Sequence, residues 1–123
     1  DAILAGLYLL DLRVQMNRPL SEIVRHLHEI AGESYYDRDD VHFPADQRTA
    51  IIERVMSAAP REIAGLAVVR TDDLDGRKFY LEDGSWLLIR FSGTEPLLRI
   101  YTETTRPERV RQILDYGHRL AGV

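Results

Sequence analysis

The sequence predicts an α+β fold: a small, mostly antiparallel four-stranded sheet covered on one face by two helices, preceded by an N-terminal helical pair. Three observations predict it. Apolar residues recur at helical spacing in two early runs, broken by Asn17-Arg18-Pro19. Four short strand-like runs alternate with turn residues between positions 65 and 103. A helical stripe stands on either side of those runs, so the order after residue 44 is α-β-β-β-β-α. The expected division is residues 1–43, two helices and an extended segment, and residues 44–123, the sheet-bearing domain.

Each element follows from its residues. Ile3, Leu4, Leu7, Leu10 and Val14 mark the first helix, apolar almost all round and expected to need burial on several sides. Ser21 is the expected N-cap of the second, whose stripe is Ile23, Val24, Leu27, Ile30 and Ala31 and whose stop is Gly32. Tyr35 to Phe43 is polar and extended, an edge strand or linker ending at Pro44. Asp46 is the expected cap of a third helix with Ile51, Ile52, Val55, Met56 and Ala59 inward, ended by Pro60. Strands follow at 65–69, 77–81, 85–91 and 97–103. Asp83-Gly84 marks a tight hairpin between the second and third of these. Thr105 to Glu108 fits a capping box with Pro107 in the first turn of a last helix, which buries Val110, Ile113, Leu114, Gly117 and Leu120.

Composition narrows the function classes. The chain has 123 residues, 45% hydrophobic and 29% charged, with net charge −4 and no cysteine. That suits one globular domain and excludes disulfides and thiolate metal sites. Acidic balance gives no general attraction to nucleic acid or anionic membrane, so anion binding must be local. No apolar run approaches the ~20 residues of a membrane span. The opening lacks a basic n-region and reads as a helix entered near its start, so the segment is expected to belong to a longer polypeptide.

The most informative stretch is Arg90 to Tyr101. Two apolar strands flank a loop of Ser92, Gly93, Thr94, Glu95 and Pro96, with Arg90 before it and Arg99 after it. Backbone N–H groups, hydroxyls and guanidiniums together are what a phosphate clamp needs. By alternation Arg90 shares a face with Trp86 and Leu88, and Arg99 shares one with Leu97 and Tyr101. An arginine inside an apolar alternation requires a partner. Glu95, giving a structural ion pair, and a bound phosphate fit the spacing equally. Asp72, Asp73 and Asp75 read as a solvated turn, because no bidentate Glu follows at loop distance. Asp37, Asp39 and Asp40 read as an edge that discourages strand pairing. His26, His28, His42 and His118 show no metal-ligand spacing.

On these residues the chain resembles the C-terminal domain of the α-D-phosphohexomutases, the phosphoglucomutase and phosphomannomutase enzymes. The matching motif is Arg90-x-Ser92-Gly93-Thr94-Glu95-Pro96-x-x-Arg99-x-Tyr101, supported by Asp83-Gly84-Ser85-Trp86, Asp1-Ala2-Ile3-Leu4-Ala5 and Pro19-Leu20-Ser21-Glu22-Ile23. The resemblance implies that residues 1–43 are the tail of a third domain with its linker and that residues 44–123 are the fourth domain. It implies a parent enzyme of the isomerase class, which interconverts hexose 1- and 6-phosphates through a bisphosphate, with Mg²⁺ in another domain; the expected location is cytoplasmic, with which the absence of cysteine is compatible. Arg90, Ser92, Gly93, Thr94 and Arg99 would bind the phosphate that is not reacting, and Glu95 would support the loop. The expected partners are the hexose phosphate and the other three domains, with neither nucleic acid nor membrane. Phe91 departs from the branches that carry Pro or Ala there. No catalytic serine loop and no metal-binding aspartate triplet occur in these residues, so this segment alone is expected to be non-catalytic and to hold no cofactor. Residues 1–15 are expected to fray or to bury themselves against a second copy. The rival readings are a small α+β interaction domain built on an Arg90–Glu95 pair with no ligand, and a nucleic-acid module using Arg90 and Arg99 on phosphodiesters.

Overall fold

The computed structural model describes residues 1–123 and divides into two compact units, Asp1–Glu33 and Ser34–Val123. The first holds α1 (Ala2–Met16) and α2 (Leu20–Ala31). Asp1 starts α1, its carboxylate accepting from the N–H groups of Ile3 and Leu4 at 3.0 and 3.1 Å. Asn17 stops it in the left-handed region at φ 48°. No residue of α1 is buried, and Ile3, Leu7, Leu10 and Val14 are all exposed. In α2, Pro19 rather than Ser21 takes the N-cap position, with no side-chain cap bond; Pro cannot continue a helix toward its N-terminus, so the boundary falls on it.

The second unit is a six-stranded antiparallel sheet, not a four-stranded one. Its strands are β1 (Tyr35–His42), β2 (Glu62–Ile63), β3 (Leu66–Asp72), β4 (Arg77–Leu81), β5 (Trp86–Phe91) and β6 (Leu97–Thr104), in the order β1-β6-β5-β4-β3-β2. Both additional strands have physical causes. Tyr35–His42 pairs along its full length with β6, from Tyr35 opposite Thr104 to His42 opposite Leu97, so the edge-strand alternative holds and the segment belongs to the sheet unit rather than to the N-terminal tail. The little β2 turns into β3 through Ala64 and Gly65, both at positive φ (51° and 78°), the geometry of a two-residue type I′ hairpin. Alanine carries no turn signal, which hides this hairpin from the sequence. Asp83-Gly84 does form the β4–β5 hairpin, with Gly84 at φ 88° and its N–H donating to the Leu81 carbonyl at 3.0 Å.

Two helices, α3 (Arg48–Ser57) and α4 (Pro107–Ala121), cover one face. Ile51 and Val55 from α3 and Ile113, Leu114 and Ala121 from α4 join Phe79, Leu81, Leu87, Ile89, Leu98 and Ile100 from the strands in one buried core. Gly117 lets α4 approach closely: a Cβ there would lie 2.6 Å from the Ile100 Cγ2. Neither expected N-cap forms. A short 3₁₀ turn, Ala45–Gln47, precedes α3, and Gln47 rather than Asp46 stands at its cap. Arg106 caps α4 by backbone alone, while the Thr105 hydroxyl turns away to donate to Asp83 at 3.1 Å. Pro107 does occupy the first turn.

Candidate phosphate site at the β5–β6 loop

The site lies where β5 and β6 run out together. Their register sets Arg90 directly opposite Arg99 on the face that the helices leave open. Like charges facing each other across a ladder destabilise a strand pair unless an anion lies between them. Arg99 is half-buried and makes neither a hydrogen bond nor an ion pair; on its other side β1 sets Asp40 opposite it, a carboxylate that pairs with Arg38 at 3.0 Å. Arg90 has one: its Nε lies 3.1 Å from Oδ1 of Asp75, with both side chains well exposed. The expected alternative partner, Glu95, does not pair with it. Gly76 carries Asp75 there, at φ 106° and so close that a Cβ would lie 2.4 Å from the Ile89 carbonyl oxygen. An exposed ion pair of this kind contributes about 0–1 kcal/mol, less than the ~1.5–3 kcal/mol of a hydrogen bond to a charged group.

The loop itself is ordered from within. The Ser92 N–H donates to the Leu97 carbonyl at 2.9 Å, the Glu95 N–H donates to Ser92 Oγ at 3.3 Å, and the Leu97 N–H closes onto the Glu95 carbonyl at 2.8 Å. Ser92 is buried, so its hydroxyl organises the loop before it can meet a ligand. Gly93 and Thr94 are exposed, and their backbone N–H groups bond to nothing in the protein. Gly93 has no positive φ, and a Cβ there would meet nothing within 4 Å. Its lack of a side chain therefore keeps the approach to the backbone open rather than permitting a special turn. Glu95 supports the loop through its backbone, not through its carboxylate.

Sequence reasoning missed Arg48. The first residue of α3, it donates to the carbonyls of Ser92 (2.8 Å) and Glu95 (3.2 Å). The available signal was an arginine in the first turn of a helix, where the backbone dipole favours an acid. With Ala45, Gly93, Thr94, Glu95 and Pro96 it lines a shallow depression of about 230 Å³; Arg90 and Arg99 stand apart from it.

The remaining charge clusters are structural. Asp72 accepts from the Leu74 N–H, Asp73 pairs with Arg77, and Asp75 with Arg90, so the three carboxylates diverge. Asp39 lies 2.6 Å from Arg111 and 2.8 Å from His118, tying β1 to α4, and the Arg111 hydrogen bond holds its carboxyl below the usual range. Burial would push the Asp83 carboxyl up, but hydrogen bonds from the Ser85 backbone and side chain and from Thr105, with the Arg109 charge, outweigh it and hold that group low as well. Arg109 and Arg111 are thus engaged separately and form no basic patch. No helix is long and apolar enough to cross a membrane.

The comparisons agree on one relationship. The family model described as phosphoglucomutase/phosphomannomutase, C-terminal domain, matches residues 47–116. A phosphoglucosamine mutase of Methanocaldococcus jannaschii is 35% identical over 121 residues, covering 98% of this chain and 25% of that protein. A phosphoglucomutase/phosphomannomutase of Thermococcus kodakarensis is 28% identical over 120 residues, covering 98% of this chain and 24% of its own length. A crystal structure assigned as a phosphomannomutase from Thermus thermophilus superposes with TM-score 0.68 at 30% identity, over 100% of this chain and 22% of that one. The chain therefore spans about a quarter of the length of the relatives it matches.

Proposed function

The chain belongs to the phosphoglucomutase/phosphomannomutase family as its C-terminal domain, and we propose that it binds the non-reacting phosphate of a hexose phosphate for a phosphohexomutase of which it is one part. The observation that carries this is the cross-strand Arg90–Arg99 pair at the root of a loop whose Gly93 and Thr94 N–H groups the protein leaves unbonded. A dianion there would relieve the repulsion and take up the free donors. Arg90 would exchange a weak surface partner, Asp75, for a stronger one. Thr94 would add a hydroxyl, and Ser92 would hold the loop.

The donors read a phosphate group and nothing of the sugar. That suits a substrate that must present either of two phosphates to the same clamp, reversed between steps. It also suits a family whose members are named for glucosamine, glucose and mannose phosphates while sharing this domain. Holding the remote phosphate would position the reacting end, so losing the clamp should lower rate as well as affinity. The phosphoryl transfer, and the Mg²⁺ that would neutralise its charge, lie on this reading with residues outside these 123. The interaction-domain alternative loses its footing with the Arg90–Glu95 pair that does not form. A titration with inorganic phosphate followed by amide shifts tests the proposal. Shifts concentrated at Ser92 to Thr94, abolished by Arg90→Ala, are expected; shifts spread over the surface, or unchanged in the variant, would contradict it.

A further inference from the structure

We propose that Arg48 is the positioning residue of the phosphate loop, aiming its free N–H donors without itself touching the ligand. The inference rests on reading the loop as a phosphate site and adds to it a residue on a different element, 44 positions upstream of Ser92.

The geometry makes the argument. Arg48 comes from α3, on the helix-covered side of the sheet, and bridges two carbonyls three residues apart, Ser92 and Glu95. A trans peptide unit is planar, with its C=O and N–H pointing in opposite directions. The carbonyl of Ser92 and the N–H of Gly93 belong to one such unit. Drawing that carbonyl toward Arg48 turns the Gly93 N–H the other way, away from the guanidinium, where no group of the protein takes it up. The second bond, to Glu95, pins the far end of the loop just before Pro96, which has no N–H of its own to contribute. One guanidinium thus fixes both ends of the segment that carries Gly93 and Thr94. Lysine, a single point of donors on a flexible stem, cannot span both carbonyls in the same way. Arg48 commits one N–H of each terminal nitrogen to these carbonyls, a positioning task distinct from the anion contacts assigned to Arg90, Arg99 and the loop backbone.

The test compares the wild-type chain with Arg48→Met, Arg48→Lys and, as a control on the same helix, Arg54→Met. Arg54 donates to the Ala121 carbonyl at 2.8 Å, a purely structural tie between α3 and α4. Each chain is titrated with inorganic phosphate by amide NMR, and its loop hydrogen exchange is measured without ligand. Arg48→Met is expected to weaken phosphate binding at least tenfold and to accelerate exchange at Glu95 and Leu97. Arg54→Met should lower the melting temperature while leaving phosphate affinity within twofold. Arg48→Lys should fall between wild type and Arg48→Met, and it carries the test alone should the Met variant unfold. Wild-type affinity in either Arg48 variant overturns the inference, as does an equal loss in Arg54→Met. If phosphate moves no loop amide even in the wild type, the reading of the loop as a phosphate site falls; unchanged loop exchange in the Arg48 variants separately refutes the stapling.

Discussion

Two glycines near the site omit a side chain for opposite reasons, and the difference can be measured. Gly76 sits at φ 106° with the Ile89 carbonyl where its Cβ would be. Gly76→Ala should therefore destabilise the fold by about 2 kcal/mol or more in a denaturant titration, through strain and displacement of the turn that carries Asp75. Gly93 has no positive φ and has open space around it. Gly93→Ala should leave unfolding within about 0.5 kcal/mol of wild type, yet weaken phosphate binding by obstructing the backbone donors. A stability loss at Gly93 equal to that at Gly76 would mean that the loop needs its glycine for folding. Asp75 offers a third contrast. Asp75→Asn should tighten phosphate binding modestly, since the carboxylate competes for Arg90; weaker binding in an equilibrium titration would make Asp75 an orienting group instead.

At the level of elements, salt links and caps hold the helices to the sheet and to each other. Arg77 donates to the Ala58 carbonyl at the end of α3 (2.7 Å), and Arg54 does the same for Ala121 at the end of α4 (2.8 Å). Asp39 joins β1 to α4, and Asp83 joins the β4–β5 hairpin to α4 through Arg109. Both carboxyls have folded pKa values below their unfolded ones. Between those values the unfolded chain binds more protons, so stability falls as pH drops. The contribution should be complete above about pH 4, the ordinary carboxylate value, and lost as pH falls through the lowered folded values. Denaturant titrations across that range should show a shallower pH slope for Asp39→Asn and Asp83→Asn; an unchanged slope in both would remove these links from the account. The strands were legible in the sequence where alternation or Asp-Gly marked them, as at 77–91. The β1 strand stayed ambiguous because Asp37, Arg38, Asp39 and Asp40 hide its alternation, and only pairing with β6 shows that it belongs to the sheet. The helix caps were misplaced because Thr105 and Asp46 satisfied a local pattern that tertiary hydrogen bonds and a 3₁₀ turn override.

At the scale of the whole molecule, the two units differ in how they are held. The sheet unit has a continuous buried core, whereas α1 buries none of its residues. Hydrogen exchange in dilute solution should therefore be fast across Ala2–Met16 and slow in β4, β5 and β6; strong protection of α1 in a dilute monomer would contradict this. The motif Arg90 to Tyr101 made the family legible from sequence, because its residues are local to one hairpin. Arg48 was less legible, because its bonds join backbone carbonyls across the fold and its mark in the sequence is no more than a cation in the first turn of a helix. The account stands on the loop between β5 and β6 taking a phosphate, and the most direct measurement is a crystal of the chain soaked in glucose 6-phosphate. The account predicts the phosphate against the N–H groups of Gly93 and Thr94, with Arg90 swung off Asp75 onto it. A loop still empty at saturating ester, with Arg90 still on Asp75, would contradict it.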